Sequence, residues 1–597
     1  MSDLKGIQTP DYLVILAYFL VIILIGYYFK RYIKQAKDYF AAGNVMPWWL
    51  AGTSYFMASF STLLFVIYSE ISYKYGIVGI VINWISPICI LLGGYFIAHL
   101  WRRSKVVTPL GFMERRYNKT IHQLFVWTGF PLRMFDNALK IFSTAIVITV
   151  AFKGSGITLI HFMVILGIIL IAYSFLGGQM TVIITDFVQA IILAFAVIFL
   201  FILTYNVVIV DFGSIGSFIS KLPQDFLNPV REPYGWSYLI FTVFLITILT
   251  YSASWSLVQK YNTVRSEKDT RKMVYLIAVL MFVAPPIFFF PAIAARLILP
   301  DLVDAKEVYA AISMKILPIG MMGFILVALL GATMSTLGSE FNTLSGILTR
   351  DFYKKKIKPD ISEKNEVAFG RMATVVIGIF TIILAILLSF FRGLTLMDLM
   401  FRFFAAFGPP IMIPLILGLL FKKFNGRGVI WGIVAGALVG IILILANFIL
   451  VSIYSEQMKI DSTLDFWLRS GWNSTATVLN ILVTILGMWI GTITKPTPED
   501  EKSRGNKFFG DLQKPFELEA GEKQSTLSPF KIIGITISAF GTIFVLISFF
   551  VLFGYNDSRA FRLDLILGFI MLLLGMMMVL KSKNSKKKVK LDLNENV

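Results

Sequence analysis

Three apolar stretches of this chain turn abruptly rich in hydroxyl groups. They are Gly52-Thr53-Ser54 followed by Ala58-Ser59-Phe60-Ser61-Thr62, then Thr250-Tyr251-Ser252-Ala253-Ser254-Trp255-Ser256, then Gly331 through Thr343 with Ala332-Thr333-Met334-Ser335-Thr336 in it. Polar groups cost free energy in hydrocarbon, so such runs are candidate functional positions. Hydroxyls, and carbonyls released where a helix breaks, are hard, weakly charged oxygen donors. In a dehydrated pocket they suit a small monovalent cation, Na+ first, better than a transition metal that requires His or Cys. A single serine in an apolar helix also bonds back to the preceding turn or simply allows close packing; it is the clustering in three segments that favours a site. Cys89 stands alone, and His99, His122 and His161 lie far apart with no ligand spacing, so metalloenzyme and thiol chemistry are not expected. A membrane-embedded enzyme also lacks a Ser/His/Asp constellation, and the chain is read as not an enzyme.

Charges inside apolar stretches form a second layer: Asp186, the trio Arg133, Asp136 and Lys140, and the pair Asp398 and Arg402. The spacing of Asp398 and Arg402 puts them on one helical face, where they can compensate each other. The trio also shares a face, with one positive charge in excess that an anionic solute group could use. Whether these groups pair structurally or touch a solute is left open by the sequence.

The elements that must position these residues are membrane helices. The chain has 597 residues, 57% hydrophobic and 15% charged, with a mean hydropathy of +0.77, which describes an integral membrane protein. Apolar runs of helical length bounded by charge predict spans near 11–29, 46–71, 76–101, 121–151, 155–176, 181–207, 235–257, 271–299, 318–349, 368–391, 395–421, 428–453, 473–494, 529–554 and 561–580. The polar start Met1–Pro10 carries no cleavage signal, so the first helix is expected to stay. Fifteen spans put the termini on opposite sides. With the N-terminus outside, the seven inner segments (Lys30–Lys37, Arg102–Lys119, Lys260–Lys272, Arg350–Arg371, Lys422–Arg427, Lys495–Lys531 and Lys581–Lys590) hold 38 of the 54 Lys and Arg. That bias is the positive-inside signature, so the net charge of +19 reports orientation and membrane lipid rather than nucleic acid. The expected setting is the plasma membrane, multi-pass, with a cytoplasmic C-terminus and the tail Lys586-Lys587-Lys588 near anionic lipid. The polar stretch 495–528 reads as a flexible linker.

The hydroxyl-rich second and seventh spans are five helices apart. That is where a five-plus-five inverted repeat places the first helix of each half, and discontinuous helices at matching positions point to a midplane site in secondary transporters. The predicted organisation is residues 1–45 as an extra N-terminal helix and loop, 46–207 and 208–424 as the two repeats, and 425–597 as about four extra C-terminal helices.

At this point several motifs together resemble one family. Met46-Pro47-Trp48-Trp49 with Gly52 and Ser54, Gly177-Gly178 followed by Thr185-Asp186-Phe187-Val188-Gln189, Gln259-Lys260-Tyr261 before Lys268, Ala332 through Asn342 to Asp351, and Gly408-Pro409-Pro410 through Gly418 to Lys422-Lys423 occur in order over about residues 10–455. This pattern resembles the sodium/solute symporter family, which includes the sodium/glucose cotransporters. The resemblance implies an all-α polytopic fold with a LeuT-type core, preceded by one extra helix. It also implies a sodium site made by the carbonyls of Met57, Phe60 and Ala332 and the hydroxyls of Ser335 and Thr336. Asp186 is implied as an acidic residue on the ion's exit path, or in a second sodium site with Ser335 and Ser339. Members with that second site carry a further hydroxyl where this chain has Gly338. At positions resembling the family's bacterial sugar-binding ones stand Ser59, Leu64, Asn83, Thr247 and Met281, with Phe401 in the eleventh span; most of the amides and charges of the sugar pocket are missing there.

Asn83 is the best single solute contact, an amide in an apolar span, though a helix–helix hydrogen bond explains it equally well. Phe65, Trp84, Tyr251, Trp255 and Phe401 are aromatic candidates for gating or stacking, with Tyr251 foremost because it lies in the hydroxyl-rich break. The expected function is sodium-coupled import of a small polar solute, a sugar, sugar derivative or carboxylate, by alternating access, with Na+ and the solute as partners and no obligate protein partner evident. The alternatives are a proton-coupled or facilitative carrier of the same fold, with Asp186 titrating, and, from another class, an ion channel or a transporter-like sensor. Solute identity, stoichiometry and oligomeric state do not follow from the sequence.

Overall fold

The computed structural model describes residues 6–30, 46–106, 108–176, 178–390, 395–516 and 529–594. Gly177, residues 31–37 of the first basic segment and 517–528 of the polar linker lie outside the described residues, as do the side chains of the Lys586-Lys587-Lys588 tail.

Helices start where a small polar residue precedes an apolar run. The side chains of Asn118, Ser266, Ser362 and Asn425 each accept the backbone N–H three residues on, which satisfies one of the donors that a helix start leaves free. In chain order the first half contains α1 (Thr9–Lys30), α2 (Trp48–Ser59), α3 (Thr62–Tyr75), α4 (Val78–Gly93), α5 (Gly111–Arg116), α6 (Lys119–Ala151), α7 (Leu159–Leu176) and α8 (Gln179–Phe212). The second contains α9 (Leu245–Ala253), α10 (Trp255–Tyr261), α11 (Glu267–Ile298), α12 (Met321–Gly346), α13 (Glu363–Ser389) and α14 (Leu396–Leu420). After them come α15 (Gly426–Ile453), α16 (Trp472–Ile493), α17 (Glu499–Gln513), α18 (Pro529–Tyr555) and α19 (Ser558–Asn594).

Among the described residues 13 helices are long and apolar enough to cross a membrane, and α2 with α3, bent by 60°, make one more broken span. The remaining expected span, 155–176, is the shorter helix α7. Both expected breaks are present. Phe60 and Ser61 leave helical geometry with ψ of 105° and 168°, and Ser254 does so with ψ of 128° between α9 and α10. The third hydroxyl run lies on an unbroken helix, α12, every residue of which is buried. It is the central post of the bundle, packed against α1, α2, α6, α8 and α13.

One expectation is corrected. The stretch 495–528 is not simply a flexible linker, because its residues 499–513 form α17, which lies on α5 and its neighbours. Phe508 stacks on Phe112, Arg504 Nε donates to Tyr117 O at 2.6 Å, and the Gly426 amide at the start of α15 donates to Glu501 Oε1 at 2.6 Å. The composition is polar because one face of this helix is solvated, while Phe508 and Leu512 are buried.

Candidate functional site

The break between α2 and α3 faces the middle of α12. Thr336 Oγ1 lies 3.2 Å from the Met57 carbonyl and 2.9 Å from the Ala332 carbonyl, so one hydroxyl serves two carbonyls on different helices. A chain of hydroxyls secures the register: Thr62 Oγ1 donates to Leu329 O at 2.7 Å, Thr333 Oγ1 donates to Thr62 Oγ1 at 2.8 Å, and Thr144 Oγ1 is 2.8 Å from Thr333 Oγ1. The Thr62 amide, freed by the break, donates to Thr333 Oγ1 at 3.3 Å. Ser335 Oγ is buried beside the Asp186 carboxylate. Met57, Ala332 and Thr336 thus meet directly, with Phe60 on the break beside Met57 and Ser335 next to Thr336 in the chain but turned to Asp186; neutral oxygens of this kind are donors that suit Na+.

Asp186 on α8 is wholly buried and meets a partner that the sequence reading had not paired with it. Lys260 Nζ, on α10, is 3.2 Å from Asp186 Oδ2 and donates to Ser54 Oγ at 2.6 Å, while Ser54 Oγ in turn donates to Asp186 Oδ2. Both charges have no exposed side-chain surface. Ser335 is a third hydrogen-bonding neighbour of Asp186, and Ser339 Oγ is buried without a hydrogen bond. The ammonium supplies beside Asp186 the positive charge that a second sodium ion would bring. Gly338 has its own reason: a Cβ there would lie 2.8 Å from the Tyr173 ring, so Tyr173 fills the space a further hydroxyl needs.

Next to the neutral-oxygen locus is a cavity of about 150 Å³, and Ser59, Leu64, Asn83, Thr247, Tyr251, Met281 and Phe401 all line it. Phe60 and Thr336 line it too, so the two places share two residues. Asn83 Nδ2 is buried without an acceptor. Ser59 Oγ is committed as a donor to its own helix, 2.9 Å from Phe56 O, and offers a solute only its lone pairs.

The trio Arg133, Asp136 and Lys140 lines the cavity as well, and so does Glu340. Lys140 and Asp136 pair at 2.7 Å. Arg133 is 3.8 Å from Glu340 Oε1 and donates to Ser254 Oγ at 3.0 Å, while Ser256 Oγ donates to Glu340 Oε1 at 2.5 Å. That leaves Arg133 Nη2 and Glu340 Oε2 buried and unbonded, one free donor beside one free acceptor. Within the trio only Asp136 and Lys140 pair; Arg133 turns to Glu340, and all three line the cavity. Glu340 was visible inside the third hydroxyl run, but helical spacing alone does not show that Arg133 of another helix comes to meet it.

Three of the aromatic candidates take the packing role that is the commoner one for such residues. Phe65 packs on Phe60, Phe288 and Tyr309, Trp84 stacks on Phe282 and bonds its carbonyl at 2.8 Å, and Trp255 fills the groove over Gly129; none of the three lines the cavity. Asp398 does not neutralise Arg402 in an ion pair. As the third residue of α14 it forms a capping box with Thr395, Oδ2 accepting from Thr395 Oγ1 at 2.8 Å, and Arg402 turns to Asn447 Oδ1 and the Leu468 carbonyl.

The fold has counterparts among known proteins. Over 450 residues the chain is 26% identical to the sodium/sialic acid symporter NanT of Aliivibrio fischeri, covering 72% of this chain and 87% of that protein. Over 471 residues it is 27% identical to a sodium/glucose cotransporter of Vibrio parahaemolyticus, covering 73% and 85%. The solved structure of a Na+-coupled sialic acid symporter in a substrate-bound outward-open state superimposes with a TM-score of 0.67 at 21% identity, over 82% of this chain and 99% of that one. A nucleobase-cation symporter in a closed conformation does so with a TM-score of 0.50 at 15% identity, over 79% and 98%. The family model for the sodium:solute symporter family matches residues 39–436. That segment contains both broken spans, the central helix and every residue of the cavity, and by it the chain belongs to the sodium:solute symporter family, as a membrane transporter that couples solute import to Na+.

Proposed function

We propose that the cavity takes a small polyhydroxylated solute of the sugar or sugar-acid class, and that Na+ binds beside it on the carbonyls of Met57, Phe60 and Ala332 and the hydroxyls of Ser335 and Thr336. The observation that carries this reading is Thr336, which holds carbonyls of two helices together on one side and lines the solute cavity on the other. Ion binding at the break fixes the angle of α2 against α12 and hence the shape of the cavity. Solute must then tighten sodium by the factor with which sodium tightens solute. A free guanidinium donor beside a free carboxylate acceptor matches solutes that both accept and donate, such as a vicinal diol or a hydroxy acid. The relatives that transport sialic acid and glucose support that class.

Orientation follows the charge bias: N-terminus outside, C-terminus in the cytoplasm, in the plasma membrane. On this reading the Asp186–Lys260 pair lies on the ion's way to the cytoplasm, and one Na+ moves per cycle, because Lys260 and Tyr173 occupy what a second ion would need. One net charge gains about 2.3 kcal/mol per 100 mV, so uptake depends on voltage as well as on the Na+ gradient. The test is uptake of candidate sugars and sugar acids into proteoliposomes at fixed pH, with and without inward Na+ gradients. Concentrative uptake requiring Na+, with a Hill coefficient near 1, is expected; full uptake without Na+ rejects the reading in favour of a proton-coupled or facilitative carrier.

A further inference from the structure

A second cavity, of about 190 Å³, lies behind α14, on the face turned away from the solute cavity. Met400, Phe401 and Phe404 of this helix line the first cavity, whereas Leu399, Arg402, Phe403 and Ala406 line the second. At 100° per residue these sets occupy opposite sides of the helix. The far walls are the C-terminal end of α15 and the N-terminal end of α16, which places the cavity in the half of the membrane away from the basic loops. Stacking of Phe135 on Phe403, with ring centroids 3.7 Å apart, seals it from the transport path.

Its lining is apolar except at one end. There Arg402 makes no salt bridge among the described residues, and its Nε has no hydrogen bond. Its other nitrogens reach only neutral acceptors, Asn447 Oδ1 and, at 3.4 Å, Leu468 O. The nearby charges are occupied elsewhere: Asp398 caps α14 and Arg469 pairs with Asp465 at 2.6 Å. Beside Arg402 is Asn473, 0% exposed, whose carboxamide has only the Tyr238 hydroxyl near it and retains unused hydrogen-bonding capacity. A guanidinium with no carboxylate in salt-bridge contact, next to a carboxamide with hydrogen-bonding capacity to spare in low dielectric, is a site for an anion that also accepts an N–H. The apolar remainder opens to the membrane at Phe448, which is 69% exposed. At roughly 10–15 Å³ per water-sized group, the volume accommodates about a dozen or more non-hydrogen atoms of a chain.

We propose that this cavity binds one anionic amphiphile from the membrane, its acyl chain among the apolar side chains and its carboxylate or phosphate on Arg402 and Asn473. The occupant braces α14, one wall of the solute cavity, and so tunes transport from outside the transport path. The experiment uses the full chain, delipidated in a neutral detergent and titrated with oleate, with phosphatidylglycerol, and with the uncharged oleyl alcohol and phosphatidylcholine. Bound equivalents are read by native mass spectrometry and the apparent Tm in parallel. One equivalent of oleate or of phosphatidylglycerol, binding at least about tenfold more tightly than the uncharged probes, is expected, and which of the two binds identifies the head group. Arg402→Gln removes the charge and Ala476→Phe fills the cavity while leaving Arg402 in place; both are expected to lose the retained equivalent and the Tm rise. Equal affinity for oleate and oleyl alcohol, or undiminished anion binding in either folded variant, overturns the proposal.

Discussion

Replacing Thr336 by valine keeps the shape of the side chain and removes only the hydroxyl. That hydroxyl sits 3.2 Å and 2.9 Å from the Met57 and Ala332 carbonyls, an interaction worth about 0.5–1.5 kcal/mol. Sodium takes over those carbonyls and gains the hydroxyl oxygen as a ligand, a contact comparable to a hydrogen bond to a charged group at about 1.5–3 kcal/mol. The variant loses both, so the net weakening of sodium binding is the difference, about 1–2 kcal/mol. That corresponds to a rise of roughly 5–30-fold in half-saturating Na+. The assay is initial solute uptake into proteoliposomes against external Na+ at clamped membrane potential. By linkage, the apparent solute affinity at limiting Na+ must fall by a similar factor and recover at saturating Na+. The control is Thr204→Val, since the Thr204 hydroxyl only bonds back to Leu200 O at 2.7 Å within α8. If folded Thr336→Val protein shows the sodium curve of the control, the neutral-oxygen locus is not where Na+ binds.

Ser335→Ala is expected to raise the sodium requirement in the same assay, whereas Ser59→Ala and Asn83→Ala are expected to change mainly the solute KM at saturating Na+. Arg133→Gln and Glu340→Gln are each expected to weaken solute binding by about tenfold or more, because each leaves its partner's charge in the cavity; an unchanged KM in both would remove the pair from the binding surface. Asp186→Asn and Lys260→Met singly strand a wholly buried charge, at about 3–5 kcal/mol, so both are expected to lower Tm and yield, and the double variant to recover most of the loss. A double variant as unstable as the singles would show that the pair contributes by something other than charge compensation. For α17, Phe508→Ala is expected to abolish hydrogen-exchange protection over 499–513; protection that persists would mean that the stack on Phe112 does not hold the helix in place.

Periodicity and charge were enough for the spans, because a helix in hydrocarbon must satisfy its own backbone and its ends are marked by charge. The breaks at Phe60–Ser61 and Ser254 were legible for the same reason: hydroxyls cluster where the backbone leaves its hydrogen-bond ladder and needs other partners. The helix at 499–513 was hidden because a polar amphipathic helix with few apolar anchors has the composition of a linker until its docking surface is known. Asp398 shows the limit of spacing arguments, since an i,i+4 partner competes with the helix's own free amides, and in α14 the amides and Thr395 prevail.

By itself the sequence determined that this chain crosses a membrane many times, that two hydroxyl-rich spans lie five helices apart, and that the residues there offer oxygens rather than nitrogen or sulfur. These are properties of residue type along one chain. Only the tertiary structure decided who meets whom: Lys260 with Asp186, Glu340 with Arg133, Tyr173 with the bare Cα of Gly338. Such encounters depend on how helices far apart in sequence rotate and cross, which is set by the packing of the whole bundle and leaves no local signature in the chain.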